Sequence, residues 1–288
     1  MSARRLIVSG DDFGAAAEVN AAVARTHRDG ILTSASLMVR GDAVDEAVAV
    51  AAAHPALAVG LHLVLAQGRP ATPPAAIPKL IGRRGRFGDS PVLSGLRYAW
   101  AWLGRAGRAQ IAREVEAQLE AFAATGLPLA HVDGHLNMHL HPMVLPVLLG
   151  LAPRYGIRVM RLTREDLRAA LRHDPRHGLR KRAEALVFRA LAAFALPRLT
   201  AAGIRTADRI YGLHQTGHVD EAYLLGLIAT LPAGTSEVYC HPAERQPAAL
   251  AAWQPGYDHE GEVAALLSAR VRSALRAADV ELIPTRGL

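Results

Sequence analysis

Two adjacent carboxylates, Asp11 and Asp12, close a strand-like run in Ser9-Gly10-Asp11-Asp12-Phe13-Gly14. At the carboxyl end of a buried strand such a pair is costly to desolvate, so it requires a metal ion or a basic partner. Asp and Gly are equally the usual residues of a turn leading into a helix cap, and the pair alone decides nothing. A second concentration lies between His131 and His141: four histidines and Asp133 crowd into eleven residues of a chain that has 13 histidines in all. Neutral imidazoles with one carboxylate are a usual ligand set for zinc or a similar divalent ion that keeps a position open for water. Four rings cannot all ligate one ion, so some must fix ring orientation, as Asp133 could do for His135. His139 and His141 read equally well as polar entry into a helix. His62 shares one face of Ala58–Val64 with Ala58 and Gly60, whose small side chains leave room around the imidazole. Taken alone it reads as a structural histidine. His241 leaves the strand-like run 236–240 just before Pro242, which fixes its direction and suits a catalytic acid or base. Cys240 reads as a small core residue rather than a nucleophile.

These residues need elements to position them. Strand-like runs at Leu6–Ser9, Ser34–Val39, Ala58–Val64, Ala130–Asp133, Ile157–Leu162, Glu237–Cys240 and Val280–Pro284 alternate with amphipathic stretches. The amphipathic stretches are Ala15–His27, Ala43–Ala53, Ala109–Ala124, Pro142–Tyr155, Asp220–Ala229 and Glu260–Ala277. This rhythm predicts a parallel sheet covered by helices, and so many strands fit a closed or nearly closed (β/α) barrel better than a small open sheet. In such folds the carboxyl ends of the strands carry the chemistry. Gln67 to Gly82, rich in Pro and Gly, reads as a long loop over the top of the barrel. Arg164 to Arg209 reads as a basic helical insertion.

The chain of 288 residues suits one large domain, and 51% hydrophobic with 20% charged residues is ordinary for an enzyme with a substantial core. Net charge is +7, yet from Arg154 through Arg209 fourteen Lys or Arg face five acids, a net of +9. The positive charge is therefore local, and the remainder of the chain is slightly acidic. Within it, Leu179, Ala183, Leu186, Val187, Ala190, Leu191 and Phe194 recur at helical spacing with Arg180, Lys181, Arg182 and Arg189 at the sides and ends. A basic amphipathic helix over 179–196, stopped by Pro197, is what an anionic membrane surface attracts. A barrel-packing helix with a solvated Arg face is the alternative. Trp100, Trp102 and Leu103, within Tyr98–Leu103, read either as a second greasy contact or simply as core. One cysteine excludes an internal disulfide or a thiolate metal cluster. Met1 to Arg5 leaves no room for a signal peptide before the first strand, and no apolar run is long enough to span a bilayer. The expected location is cytoplasmic, with a peripheral membrane contact as an option.

Taken together, Asp11-Asp12-Phe13-Gly14, Gly60-Leu61-His62, the His131-x-Asp133-x-His135-x₃-His139 block and Cys240-His241-Pro242 resemble the YdjC-like carbohydrate deacetylases, in order and spacing across nearly the whole chain. The resemblance implies a single domain over 1–288 folded as a distorted (β/α) barrel of mostly parallel strands, with one divalent ion, zinc foremost and magnesium as the alternative. It implies Asp12, His62 and His135 as metal ligands, Asp11 as general base and His241 as acid or transition-state stabiliser. Asp133, His139, Arg161 and Glu237 are then expected to touch substrate or orient those groups. Many carbohydrate-specific members carry Asp-Ser-His-His-His where this chain has Asp133-Gly134-His135-Leu136-Asn137. With the basic insertion, this version is similar to the hopanoid biosynthesis-associated branch. That branch implies removal of acetyl from an N-acetylglucosamine group on a hopanoid glycolipid, N-acetylglucosaminyl bacteriohopanetetrol. Open alternatives are soluble N-acetylated oligosaccharides such as chitobiose, a metal-dependent phosphoesterase, and a basic lipid-binding protein without catalysis. Nucleic acid is not expected as a partner, and nothing bears on oligomeric state.

Overall fold

A computed structural model of the chain describes residues 3–88 and 90–288. Met1 and Ser2, the start of the segment expected to lead straight into the first strand, lie outside the described residues. The strands are β1 Arg4–Phe13, β2 Ser34–Leu37, β3 Ala58–Leu63, β4 Val132–Gly134, β5 Arg209–Tyr211, β6 Gly234–Cys240 and β7 Val280–Leu282. The helices are α1 Ala17–Asp29, α2 Val44–Ala53, α3 Pro91–Trp102, α4 Arg105–Ala124, α5 Leu145–Tyr155, α6 Leu167–His173, α7 Gly178–Ala201, α8 Glu221–Thr230, α9 His259–Leu267 and α10 Ala269–Ala277.

All strand pairs are parallel, in the order β4-β3-β2-β1-β6-β5, with β7 pairing the start of β1. The sheet curls into a distorted barrel with helices around it, as the alternating pattern predicts. Its weak side lies between β4 and β5. There Ile157–Leu162, expected as a strand, makes only isolated bridges, Val132 to Met160 and Val159 to Arg205. The expected run Glu260–Ala277 is two helices. Ser268 takes an extended conformation between them, and its hydroxyl caps α10 by accepting from the amides of Arg270 and Val271.

One further expectation is corrected. Pro197 does not stop the basic helix: α7 runs through it to Ala201. The amide that Pro197 lacks would have met the carbonyl of Ala193, which is on the exposed side and free to bond water. Tyr98–Trp102 closes α3, with Leu103 at its C-cap; the periodic pattern does not reveal this helix because its face outward is as apolar as its face inward.

Candidate active site

The carboxyl ends of β1, β3, β4 and β6 converge on a polar cluster inside the barrel. In a regular strand, neighbouring Asp11 and Asp12 would point to opposite faces. Here the β1–β2 register slips between Gly10 and Phe13, and Asp12 takes a left-handed φ of 62°. This bulge lets both carboxylates reach the same space. The physical need of the pair is met twice over, because each carboxylate takes a different solution.

Asp11 takes the basic partner. Both of its oxygens accept from the Arg161 guanidinium, at 2.7 and 2.8 Å. Arg161 also reaches Asp133 at 2.8 Å and Glu237 at 2.9 Å, and its plane lies 4.6 Å from the Tyr239 ring centre. His139 is not at the ion site: its ring bonds the Arg161 carbonyl at 2.8 Å and so holds that residue in place. Ser9 donates to the Glu237 oxygen that also receives Arg161.

Asp12 faces imidazoles instead. Its Oδ2 accepts from Gln254 Nε2 at 2.6 Å, while Oδ1 lies 3.0 Å from His135 Nδ1 and 3.4 Å from His62 Nε2. Neither contact has the direction of a hydrogen bond, and Oδ1 has no hydrogen-bond partner among the described residues. One ligand atom from each of Asp12, His62 and His135 falls within 4.8 Å of the other two. His62 Nδ1 is 2.7 Å from Asp133 Oδ1, and a carboxylate only accepts, so the hydrogen is on Nδ1. Once the second ring proton leaves, His62 Nε2 presents a lone pair toward Asp12 Oδ1. Asp133 therefore orients His62, where spacing alone offers His135. β3 and β4 are paired in register at these two residues, whereas His135 lies one turn beyond.

Electrostatics fit the same picture. Burial would raise the Asp12 carboxyl, but the facing His135 and His62 hold it well below the usual carboxylate range. Burial would lower the His62 imidazole, yet Asp133, Asp11 and Asp12 push it up to about 10. Three buried carboxyls, Asp11, Asp133 and Glu237, surround one buried guanidinium, and a fourth, Asp12, faces only imidazoles and an amide. The site is short of positive charge at the point where two nitrogens and one oxygen converge. A divalent ion held by Asp12, His62 and His135 fits that deficit and those donor types. The alternative trio of Asp11, His62 and Asp133 is less apt, since Arg161 and the His62–Asp133 bond already occupy it.

His131 lies apart from this trio, with its ring between Ser36 at 3.0 Å and Thr285 at 2.9 Å. It fills the space beside Gly60, where a Cβ would come within 2.5 Å of it. The small residue at 60 thus makes room for His131 rather than for His62. His241 lines the same cavity as Asp11, His62 and His135, and burial lowers its pKa. Its backbone is pinned by Glu262, which accepts from its amide, and by His259, whose ring bonds its carbonyl at 2.6 Å. After His135 the chain passes through left-handed Leu136 and Asn137, and Asn137 bonds Thr163 at 2.5 Å. Gln254 carried no sequence signal, because it lies in an irregular stretch far from any motif.

The cluster sits in a cavity of about 810 Å³. The YdjC-like protein family model matches residues 5–277. The chain belongs to that family. Among relatives of this YdjC-like protein, a carbohydrate deacetylase of Brevibacillus brevis is 40% identical over 157 residues, 54% of this chain and 58% of the relative. A chitooligosaccharide deacetylase of Yersinia pestis is 35% identical over 153 residues, 51% of this chain and 55% of the relative. The alignments thus span little more than half of these relatives. A crystal structure from Enterococcus faecalis V583, described as a candidate cellobiose-phosphate cleavage protein, superposes with a TM-score of 0.74 at 23% identity, covering 99% of both chains. That likeness speaks for the YdjC-like fold alone.

Proposed function

We propose that this protein is a metal-dependent deacetylase that hydrolyses the acetamide of an N-acetylglucosamine group. The observation that carries the reading is the convergence of Asp12, His62 and His135 on one point, beside an Asp11 that stays out of that trio. The names of the aligned relatives, carbohydrate and chitooligosaccharide deacetylases, agree with it. When bound, the divalent ion, zinc foremost, supplies Lewis acidity toward water and the amide carbonyl. Asp11 accepts the proton of the attacking water, and Arg161 keeps its carboxylate aimed. Gln254 and Asp133 hold Asp12 and His62 in their orientations. Burial favours the neutral His241 ring at rest, so it passes to the leaving amine nitrogen the proton that Asp11 has taken from the water. Exclusion of water by the cavity walls strengthens these charge interactions.

We further infer an amphiphilic substrate, in line with the hopanoid-associated branch. Asp11, His62, His135 and His241 share the lining of this cavity with Leu96, Ala99, Leu136, Met138, Val187 and Leu191. Leu136 stands where many carbohydrate-specific members carry a histidine. An apolar wall beside a sugar-processing cluster suits a sugar with an apolar aglycone. The test is acetate release from N-acetylglucosaminyl bacteriohopanetetrol and from N,N′-diacetylchitobiose, with chelator and after return of zinc. Faster, chelator-sensitive release from the glycolipid is expected. Faster release from the disaccharide replaces the amphiphile with a soluble oligosaccharide. Phosphate release instead of acetate overturns the deacetylase reading, and acetate release indifferent to chelator overturns its metal dependence.

A further inference from the structure

The apolar wall does not end at the mouth of the cavity. Val92 and Leu96 on α3 and Val187 on α7 line it, and they are 70%, 63% and 56% exposed. From there the apolar surface continues outward. On α3, Leu93, Leu96 and Trp100 recur at intervals of three and four and lead to Leu103, forming one exposed stripe. On α7, Leu179, Ala183, Leu186 and Ala190 form another. Neither stripe is an incomplete core. The second half of α7 buries Ala192, Ala195 and Leu199, and its first turns are anchored by Lys181, which donates to Asp174 at 2.7 and 3.0 Å.

The charges around these stripes have one sign. Arg182 and Arg189 flank the α7 stripe on the side away from the cavity, given 3.6 residues per turn. Arg97 lies beside the α3 stripe, and Arg105 opens α4. None of the four forms an ion pair among the described residues, whereas Arg180 pairs with Glu184 and Arg176 with Asp174. α3 contains no acid, and α7 only Glu184. A second copy meeting this surface through a twofold axis would set arginine against arginine. An anionic bilayer offers both things the surface lacks: apolar depth for the leucines and tryptophan, and phosphates for the arginines.

We propose that α3 and the first half of α7 dock the protein on an anionic phospholipid bilayer, with the mouth of the catalytic cavity against the lipid. An amphiphile could then present its sugar to the site while its apolar part stays near the membrane. That last step rests on the substrate reading above, but the docking does not.

The experiment is sedimentation of the full chain with vesicles of about 30% phosphatidylglycerol in phosphatidylcholine, and with pure phosphatidylcholine, at about 0.1 M salt. The wild-type protein is expected to sediment with the anionic vesicles and to remain largely in solution with the zwitterionic ones. Arg182→Glu with Arg189→Glu should lower partitioning roughly 30-fold or more. Leu93→Ser with Trp100→Ser, and separately Leu186→Ser, should each lower it about tenfold. All are surface changes outside the cavity, so circular dichroism and metal content should stay at wild-type values, which separates lost docking from misfolding. Docking is overturned if the wild type ignores anionic vesicles, binds both vesicle types equally, or is matched by the variants. It is also overturned if the wild type dimerises through this face and Trp100→Ser restores the monomer. A protein that ignores vesicles but deacetylates detergent-dispersed glycolipid loses the docking surface and keeps the proposed function. One that binds vesicles without releasing acetate does the reverse.

Discussion

The guanidinium of Arg161 clasps both oxygens of Asp11 while its remaining edge serves Asp133 and Glu237. All four side chains are buried, so this single cation offsets three acids in a region without solvent. Replacing Arg161 with Met should destabilise the fold by about 3–5 kcal/mol, because the carboxyls are left buried without a counter-charge. Thermal unfolding measures it, and a shift of less than a degree or two would show that water or protonation replaces the guanidinium at little cost. Arg161→Lys retains the charge but not the fork, so it should recover stability better than turnover.

Asp11→Asn should reduce turnover by about 10²–10⁴ while metal content stays at the wild-type level. Elemental analysis beside a rate measurement separates the two quantities. Loss of metal along with activity would move Asp11 from base to ligand.

His62→Ala and His135→Ala should each release the ion. Asp133→Asn is a gentler change and more informative. An amide can donate to His62 Nδ1, which favours the tautomer with the hydrogen on Nε2 and spoils the lone pair facing Asp12. Metal affinity should fall about 10–100-fold. Titration calorimetry with zinc reads it, and unchanged affinity would mean that the charge of Asp133 does not set the His62 tautomer.

His131 and His139 are pushed by burial down to about 4. The unfolded chain takes up a proton on each near pH 6.5 and the folded chain does not, so their contribution is full above that pH and is lost as pH falls toward 4. At pH 5 this amounts to roughly 2 kcal/mol per ring. Denaturant unfolding with chelator, at pH 7.5 and pH 5, should register it. His139→Gln should show a shallower loss between those conditions, and an identical loss would remove this ring from the account. His62, held at about 10 when no metal is bound, acts in the opposite range: its contribution is complete below 6.5 and declines as pH rises.

The parts of the site that were legible in the sequence are those where chemistry restricts residue type at a strand end. Asp11, Asp12, His62 and His135 stand out because few structural roles crowd carboxylates and imidazoles there, and the barrel brings them together. Pairings between them were less legible. Whether Asp133 serves His62 or His135 depends on the β3–β4 register, which alternation alone does not set. Gln254 reaches Asp12 across 242 residues of chain from a segment without periodicity. α3 escaped notice because helix recognition relies on contrast between faces, and a surface apolar on both sides has none. Pro197 misled for a related reason: its cost depends on whether the carbonyl four residues earlier sees water, which is a property of the folded helix.

Among the described residues the wall that carries Arg161 has no continuous ladder: bridges at Val159 and Met160, with the few backbone bonds that make them, link β4 toward β5. The residue that neutralises the interior therefore sits on the strip least restrained by backbone pairing. Its attraction to Asp11, Asp133 and Glu237 fastens that strip to the rest of the cylinder. Closure of the barrel and assembly of the charged interior are in this sense one event, and whatever weakens the ionic knot opens a seam in the wall.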